Sequence, residues 1–140
     1  MKKILSFLIA LLATFPLHAA DGDVFTATIN GGISMTFKVL NESLQTIQVG
    51  NGSYACIPKS TIGAITIPGT IKKNGTNYYY KVTSIGENAF AHCSGLTSVT
   101  IPSGVTAIGS YAFNNCSGLI SITIPSGVTA IERSAFSGCI

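Results

Sequence analysis

A 23-residue period constrains this chain more than any other feature. Val82 to Gly104 reads Val-Thr-Ser-Ile-Gly-Glu-Asn-Ala-Phe-Ala-His-Cys-Ser-Gly-Leu-Thr-Ser-Val-Thr-Ile-Pro-Ser-Gly, and Val105 to Gly127 follows as a near copy. A third copy runs from Val128 to Ile140. Val82, Val105 and Val128 keep the interval, as do Phe90, Phe113 and Phe136, and Cys93, Cys116 and Cys139. One such unit is too small to bury its own apolar face. Stacked units share a continuous core, so the period predicts a solenoid.

Within a unit the apolar spacing changes character. Leu96, Val99 and Ile101 suit a strand, with Val99 and Ile101 two apart on one face. Pro102 lacks a donor N–H and ends the pairing, and Ser103-Gly104 turns the chain. Ile108, Ala112, Phe113 and Cys116 then suit one face of a short helix or an irregular helical turn. The inward set Leu96, Val99, Ile101, Val105, Ile108, Ala112, Phe113 and Cys116 recurs as Leu119, Ile122, Ile124, Val128, Ile131, Ala135, Phe136 and Cys139. The expected class is α/β, mainly β, with one strand per unit in a parallel sheet.

A diverged earlier unit precedes the regular ones. Ile62-Gly-Ala-Ile65-Thr-Ile67-Pro68-Gly-Thr-Ile71 superimposes on Leu96 to Val105 at an offset of 34, so 11 residues are inserted. The insert holds Asn74-Gly75, a strong hairpin signal, and residues 69–83 read as a projecting hairpin. Phe25, Ala27 and Ile29 alternate, Asn30-Gly31-Gly32 turns, and Ile33, Met35, Phe37 and Val39 alternate again. Thr46 to Val49 adds a strand. The organisation expected is therefore a β-hairpin cap over 21–60 and a repeat solenoid over 61–140.

Residues 1–20 read as a secretory signal peptide. Lys2-Lys3 precedes a dozen mostly apolar residues, Ile4 to Phe15, and the segment ends in Ala19-Ala20. No second apolar run of about 18 residues follows, so no transmembrane span is expected after its removal. Without Lys2 and Lys3, six basic residues face five acidic ones. Only 9% of the chain is charged and 46% is hydrophobic, which excludes a disordered charged tail and a coiled coil. The scattered basic residues make no nucleic-acid footprint, so no nucleic-acid partner is expected.

The unit Leu-x-x-Val/Ile-x-Ile-Pro-x-x-Val-x-x-Ile-x-x-x-Ala-Phe-x-x-Cys resembles the leucine-rich repeats of the BspA-like family. Val82–Gly104, Val105–Gly127, Val128–Cys139 and, more loosely, Ile62–Ile71 carry the resemblance, and Tyr78 to Val82 resembles the family's lead-in. The resemblance implies a secreted or surface protein, of a kind common in Bacteroidetes, that adheres to extracellular or host proteins. Family arrays are often longer. This one stops at Ile140 before a further strand, which reads as truncation. The strand near Leu119–Ile124 would then leave an unpaired edge, and self-association through that edge is expected.

Catalytic groupings are sparse. His92 is the only histidine after residue 20, and its place is taken by Asn115 and Gly138 in the copies, which suits a solvated position. Asp21 and Asp23 are the only aspartates, so no catalytic triad assembles readily. Strands lie about 4.8 Å apart, so Cys93 and Cys139, two units apart, are too distant to share one tetrahedral zinc. Export would permit a disulfide between adjacent units, but equivalent positions point their Cβ vectors in parallel, so Cys93, Cys116 and Cys139 read as a buried thiol column with a bridge as the alternative, and Cys56 falls outside the register. No enzyme activity, cofactor or metal is expected.

Two surface features remain as ligand-binding candidates. Thr66, Thr100 and Thr123, with Ser98 and Ser121, should line the exposed sheet face as a hydroxyl ladder. Tyr78, Tyr79 and Tyr80, flanked by Lys72, Lys73 and Lys81, should mark the hairpin as a contact for protein or glycan, with at least one tyrosine packed inward. The reading is a secreted or surface module for protein interaction or adhesion. The alternatives are a glycan-binding module and a truncated repeat fragment without independent function.

Overall fold

The computed structural model describes residues 20–140. The expected signal segment, apart from Ala20, lies outside the described residues. Ten strands form two sheets, and no α-helix occurs among the described residues. One sheet carries β1 (Val24–Ile29), β2 (Ile33–Asn41), β3 (Thr46–Val49), β6 (Tyr79–Ile85), β8 (Ala107–Ile108) and β10 (Ala130–Ile131) in that order, with β5 (Thr70–Lys72) also paired to β6. The other sheet is β4 (Gly63–Thr66), β7 (Leu96–Thr100) and β9 (Ser121–Thr123).

β1 and β2 pair antiparallel through the Asn30-Gly31-Gly32 turn, where Gly31 and Gly32 take φ of +85° and +75°. Their inward residues (Ile29, Met35, Phe37 and Val39) are buried. β2 pairs antiparallel with β3, and β3 then lies parallel to β6, across more than thirty residues of sequence. β5 and β6 form an antiparallel pair around Asn74-Gly75, Gly75 having φ +79°. Downstream, all pairings are parallel. β4, β7 and β9 align Ile65, Val99 and Ile122, while β6, β8 and β10 align Ile85, Ile108 and Ile131.

The second parallel ladder departs from the expectation of one strand per unit. Each of its repeat strands is two residues long, too short to leave a period-2 signature. The Leu-x-x-Val spacing has a structural cause. Leu96 pairs with Gly63 but Ser98 pairs with Ala64, so Thr97 is an extra residue. A bulge there lets Leu96 and Val99, three apart, both turn inward. Thr83 plays the same part between Val82 and Ile85.

Of the two forms expected for the segment around Ile108 to Cys116, a short helix or an irregular helical turn, the structure takes the second, as a run of turns. Ala112 N–H donates to Gly109 O, Asn114 N–H to Tyr111 O and Cys116 N–H to Phe113 O. Left-handed residues interrupt it at Asn88, Tyr111 and Ser134, and again at His92, Asn115 and Gly138. An α-helix cannot run through such positions.

Ile62 also departs from expectation. It does not take the place of Leu96 but is 80% exposed, because Gly63 (φ +87°) turns the chain and itself faces Leu96. Ile65 does align with Val99.

A single cluster of buried side chains runs from Ile29 to Ala135 and draws on both sheets. The inward set from Leu96 to Cys116 is fully buried, but its copy is not: Ile124 and Ile131 are exposed, and Ile122, Val128, Phe136 and Cys139 are only partly covered. Among the described residues no further unit stacks on that side.

Candidate hydroxyl face and lysine-tyrosine strand pair

Strand alternation places the predicted hydroxyls together. Thr66, Thr100 and Thr123 are direct partners across β4, β7 and β9, and Ser98 pairs with Ser121. Ala64 stands where the ladder would need a third serine. All three threonines and Ser121 are exposed and Ser98 is half-buried, while Ile65 and Val99 between them point into the core. The three strands contain no charged residue. This is a neutral face about 10 Å across three strands at the usual spacing of about 4.8 Å.

The three tyrosines separate. Tyr80 is a core residue, and its proposal as a contact residue is corrected: β6 alternation turns it inward, where it packs near Phe25 at 6.2 Å between ring centroids. Its hydroxyl donates to the Glu42 carboxylate at 3.0 Å. Burial, reinforced by Glu42, pushes its pKa up to about 12. Tyr78 is half-buried against the core, with its N–H donating to Thr76 Oγ1. Tyr79 alone of the three is open to solvent, at 61% exposure, beside Lys72 on β5 and on the same face as Lys81. The hydroxyl ladder and Tyr79 therefore belong to different sheets and do not converge through strand pairing.

A second threonine column escaped sequence reading. Thr129 Oγ1 donates to Thr106 O, Thr106 Oγ1 to Thr83 O and Thr83 Oγ1 to Ile47 O. The 23-residue interval between Thr83, Thr106 and Thr129 was the signal that could have shown it. These hydroxyls tie neighbouring units together through backbone carbonyls.

The thiols are structural in placement. Cys56, Cys93 and Cys116 are buried, Cys139 is half-buried, and none is bridged. Cys116 Sγ donates to Phe90 O and Cys139 Sγ to Phe113 O. Burial pushes Cys93 up to about 11 and Cys116 up to about 12, and raises Cys56 well above its ordinary value. Such thiols are poor nucleophiles. Cys56 also acquires a place. Its N–H donates to Ala89 O, as Phe90 N–H donates to Ala112 O and Phe113 N–H to Ala135 O. It thus stands where later units have phenylalanine. Carrying the offset of 34 back to Ala55-Cys56, opposite Ala89-Phe90, would have found it.

His92 is exposed and lines a shallow cleft of about 220 Å³ with Tyr54, Lys59 and Asn88. Its φ of +63°, shared with Asn115 and Gly138, explains that position by backbone conformation rather than chemistry. Among the described residues, no three His, Cys, Asp or Glu side chains gather to hold a metal, and no helix is long and apolar enough to cross a membrane.

Residues 69–140 match the BspA type leucine rich repeat region. The fold is similar to that of a leucine-rich repeat protein from Bacteroides ovatus, with 36% identity and a TM-score of 0.63 over 75% of this chain and 26% of that one. A leucine rich cell surface protein from Faecalibacterium prausnitzii shares 32% identity at a TM-score of 0.63, over 86% of this chain and 30% of that one. The T. pallidum leucine rich repeat protein shares 27% identity at 0.59, over 75% and 43%. The chain thus spans less than half the length of each of these relatives. No curated protein sequence matches it significantly.

Proposed function

The chain belongs to the BspA type leucine-rich repeat family, and on that premise we propose that it is an exported, non-enzymatic module that binds extracellular or surface proteins. The contact runs through the hydroxyl face of β4, β7 and β9. The units form a solenoid of 23 residues each, β1 to β3 cover its N-terminal end, and residues 1–20 direct export. The observation that carries this reading is the register Thr66–Thr100–Thr123. Three aligned, exposed hydroxyls on a charge-free face present donors and acceptors with no ion to desolvate, which suits a protein surface of matching shape. Repeat arrays commonly bind through such extended faces.

The test is capture of extracellular-matrix or bacterial-surface proteins by the wild type and by a Thr100→Lys, Thr123→Lys variant. Selective enrichment by the wild type alone is expected. Equal capture by both, or none by either, would sink the reading. The β9 edge and the exposed Ile124 and Ile131 offer a further copy of this chain a second surface. Sedimentation across a hundredfold concentration range should show self-association, and Ile131→Lys should suppress it.

A further inference from the structure

We propose that the outer face of β2, β3, β5 and β6 is a binding surface for an acidic glycan. The site is separate from the hydroxyl face of β4, β7 and β9 and does not depend on it.

The charge distribution comes first. The seven strands of this sheet contain three lysines, Lys38, Lys72 and Lys81, and no aspartate or glutamate. Alternation puts all three on the outward face, since their neighbours Phe37, Val39, Tyr80 and Val82 are buried. In β5, Thr70 and Lys72 are exposed on either side of half-buried Ile71 and so share the outward face. The register sets their spacing. Thr70 faces Lys81 and Lys72 faces Tyr79, so Lys72 and Lys81 are diagonal neighbours, with Cα atoms about 7–8 Å apart. Lys38 faces Gln48, and Thr46 next along β3 faces Lys81, which places Lys38 two strands away, roughly 12 Å from Lys81.

These charges are also unspent. The ion pair among the described residues joins Lys73 to Asp23 at 3.4 Å and includes none of the three. Glu42, the carboxylate closest in sequence to β2 and β3, takes the Tyr80 hydroxyl and the Asp21 side chain takes its N–H. A face carrying three unpaired cations in a chain of nearly balanced charge favours an anionic partner.

The neighbours of the lysines select sugar over other anions. Thr46 and Thr70 stand between the lysines as donors and acceptors for hydroxyls, while Gln48, whose Nε2 donates to Gly50 O, adds its amide oxygen as an acceptor. Tyr79 presents an exposed aromatic ring beside Lys72, a surface on which the C–H face of a pyranose can rest. Along the edge of this face runs an open groove of about 400 Å³ lined by Lys81, Thr70, Thr83, Ser103 and Pro102, a volume large enough for a saccharide unit. Three lysines are too few for the phosphate contacts that hold a nucleic-acid duplex.

The probe is a heparin hexasaccharide, titrated by calorimetry against the full chain at 50 and 300 mM NaCl. The wild type should bind and should weaken with salt, because each lysine engaged releases a counterion. Lys72→Gln with Lys81→Gln should lose on the order of tenfold in affinity and flatten the salt dependence, while Lys59→Gln, off this face, should change neither. Tyr79→Ala should weaken binding severalfold without altering the salt slope. The proposal is overturned by no wild-type binding at 50 mM NaCl, by salt-insensitive binding, or by equal loss in Lys59→Gln. Equally tight binding of polyglutamate or of phosphatidylserine vesicles would also overturn it, assigning the face to acidic protein or to membrane. The wild-type salt dependence decides the matter even where a variant fails to fold.

Discussion

Replacing Phe113 with alanine removes the middle ring of a three-ring stack. Phe113 lies parallel to Phe90 at 4.9 Å and to Phe136 at 5.3 Å between centroids, with interplanar angles of 5° and 2°. It has no solvent exposure. Emptying a buried phenylalanine site costs about 3–5 kcal/mol, from lost transfer energy and the cavity left behind. Each aromatic pair contributes about 0.5–1.5 kcal/mol beyond area, so two pairs place Phe113 at the upper end of that range. Phe136 keeps part of its ring exposed and stacks on one neighbour, which puts Phe136→Ala at roughly 2 kcal/mol. The measurement is urea unfolding followed by circular dichroism, with calorimetry in parallel. Phe113→Ala should lower Tm by roughly 16–20 °C and Phe136→Ala by under 10 °C, at about 4 °C per kcal/mol for a chain of this length. Equal losses for the two variants, or less than about 1 kcal/mol for Phe113, would refute the claim that ring stacking between units organises this core.

Four further outcomes follow from particular contacts. A Cβ on Gly118 would run into the Ser94 carbonyl oxygen of the preceding unit, as one on Gly95 would meet Thr61 O at 2.7 Å. Gly118→Ala should therefore cost about 2–3 kcal/mol in the same unfolding assay. His92→Gly relieves a left-handed residue at φ +63° and should stabilise by about 1 kcal/mol, whereas Gly138→Ala at the equivalent position should destabilise by at least as much. Thiol labelling at pH 8 should modify half-buried Cys139 first and leave Cys93 and Cys116 unmodified until unfolding. Their folded pKa values, about 11 and 12, lie above the ordinary 9.0, so the folded state holds its protons longer than the unfolded chain. The stability they contribute is complete below about pH 9 and is lost as pH rises through 11 to 12. Stability from unfolding curves should hold level from pH 8 to about 9 and fall from there to pH 11.5, and a rise over that upper range would contradict the burial of the thiols.

What the sequence determined by itself was whatever leaves a regular trace along the chain. The alternation of β1 and β2, the Asn-Gly turn between β5 and β6, and the mutual register of Thr66, Thr100 and Thr123 are of this kind. Period-2 alternation reports burial directly, and identical units align identical residues when they pair. The mainly β character and the family were legible for the same reason. The tertiary structure decided what depends on neighbours far along the chain. The pairing of β3 with β6, and the second ladder of two-residue strands, arise from contacts that no local pattern records. Bulges at Thr83 and Thr97 turn a three-residue spacing, which reads locally like helix, into two inward residues of a strand. Tyr79 and Tyr80 are indistinguishable as letters. Only the phase of β6 against the core sends one to solvent and the other to Glu42, because a one-residue shift in a strand exchanges its faces.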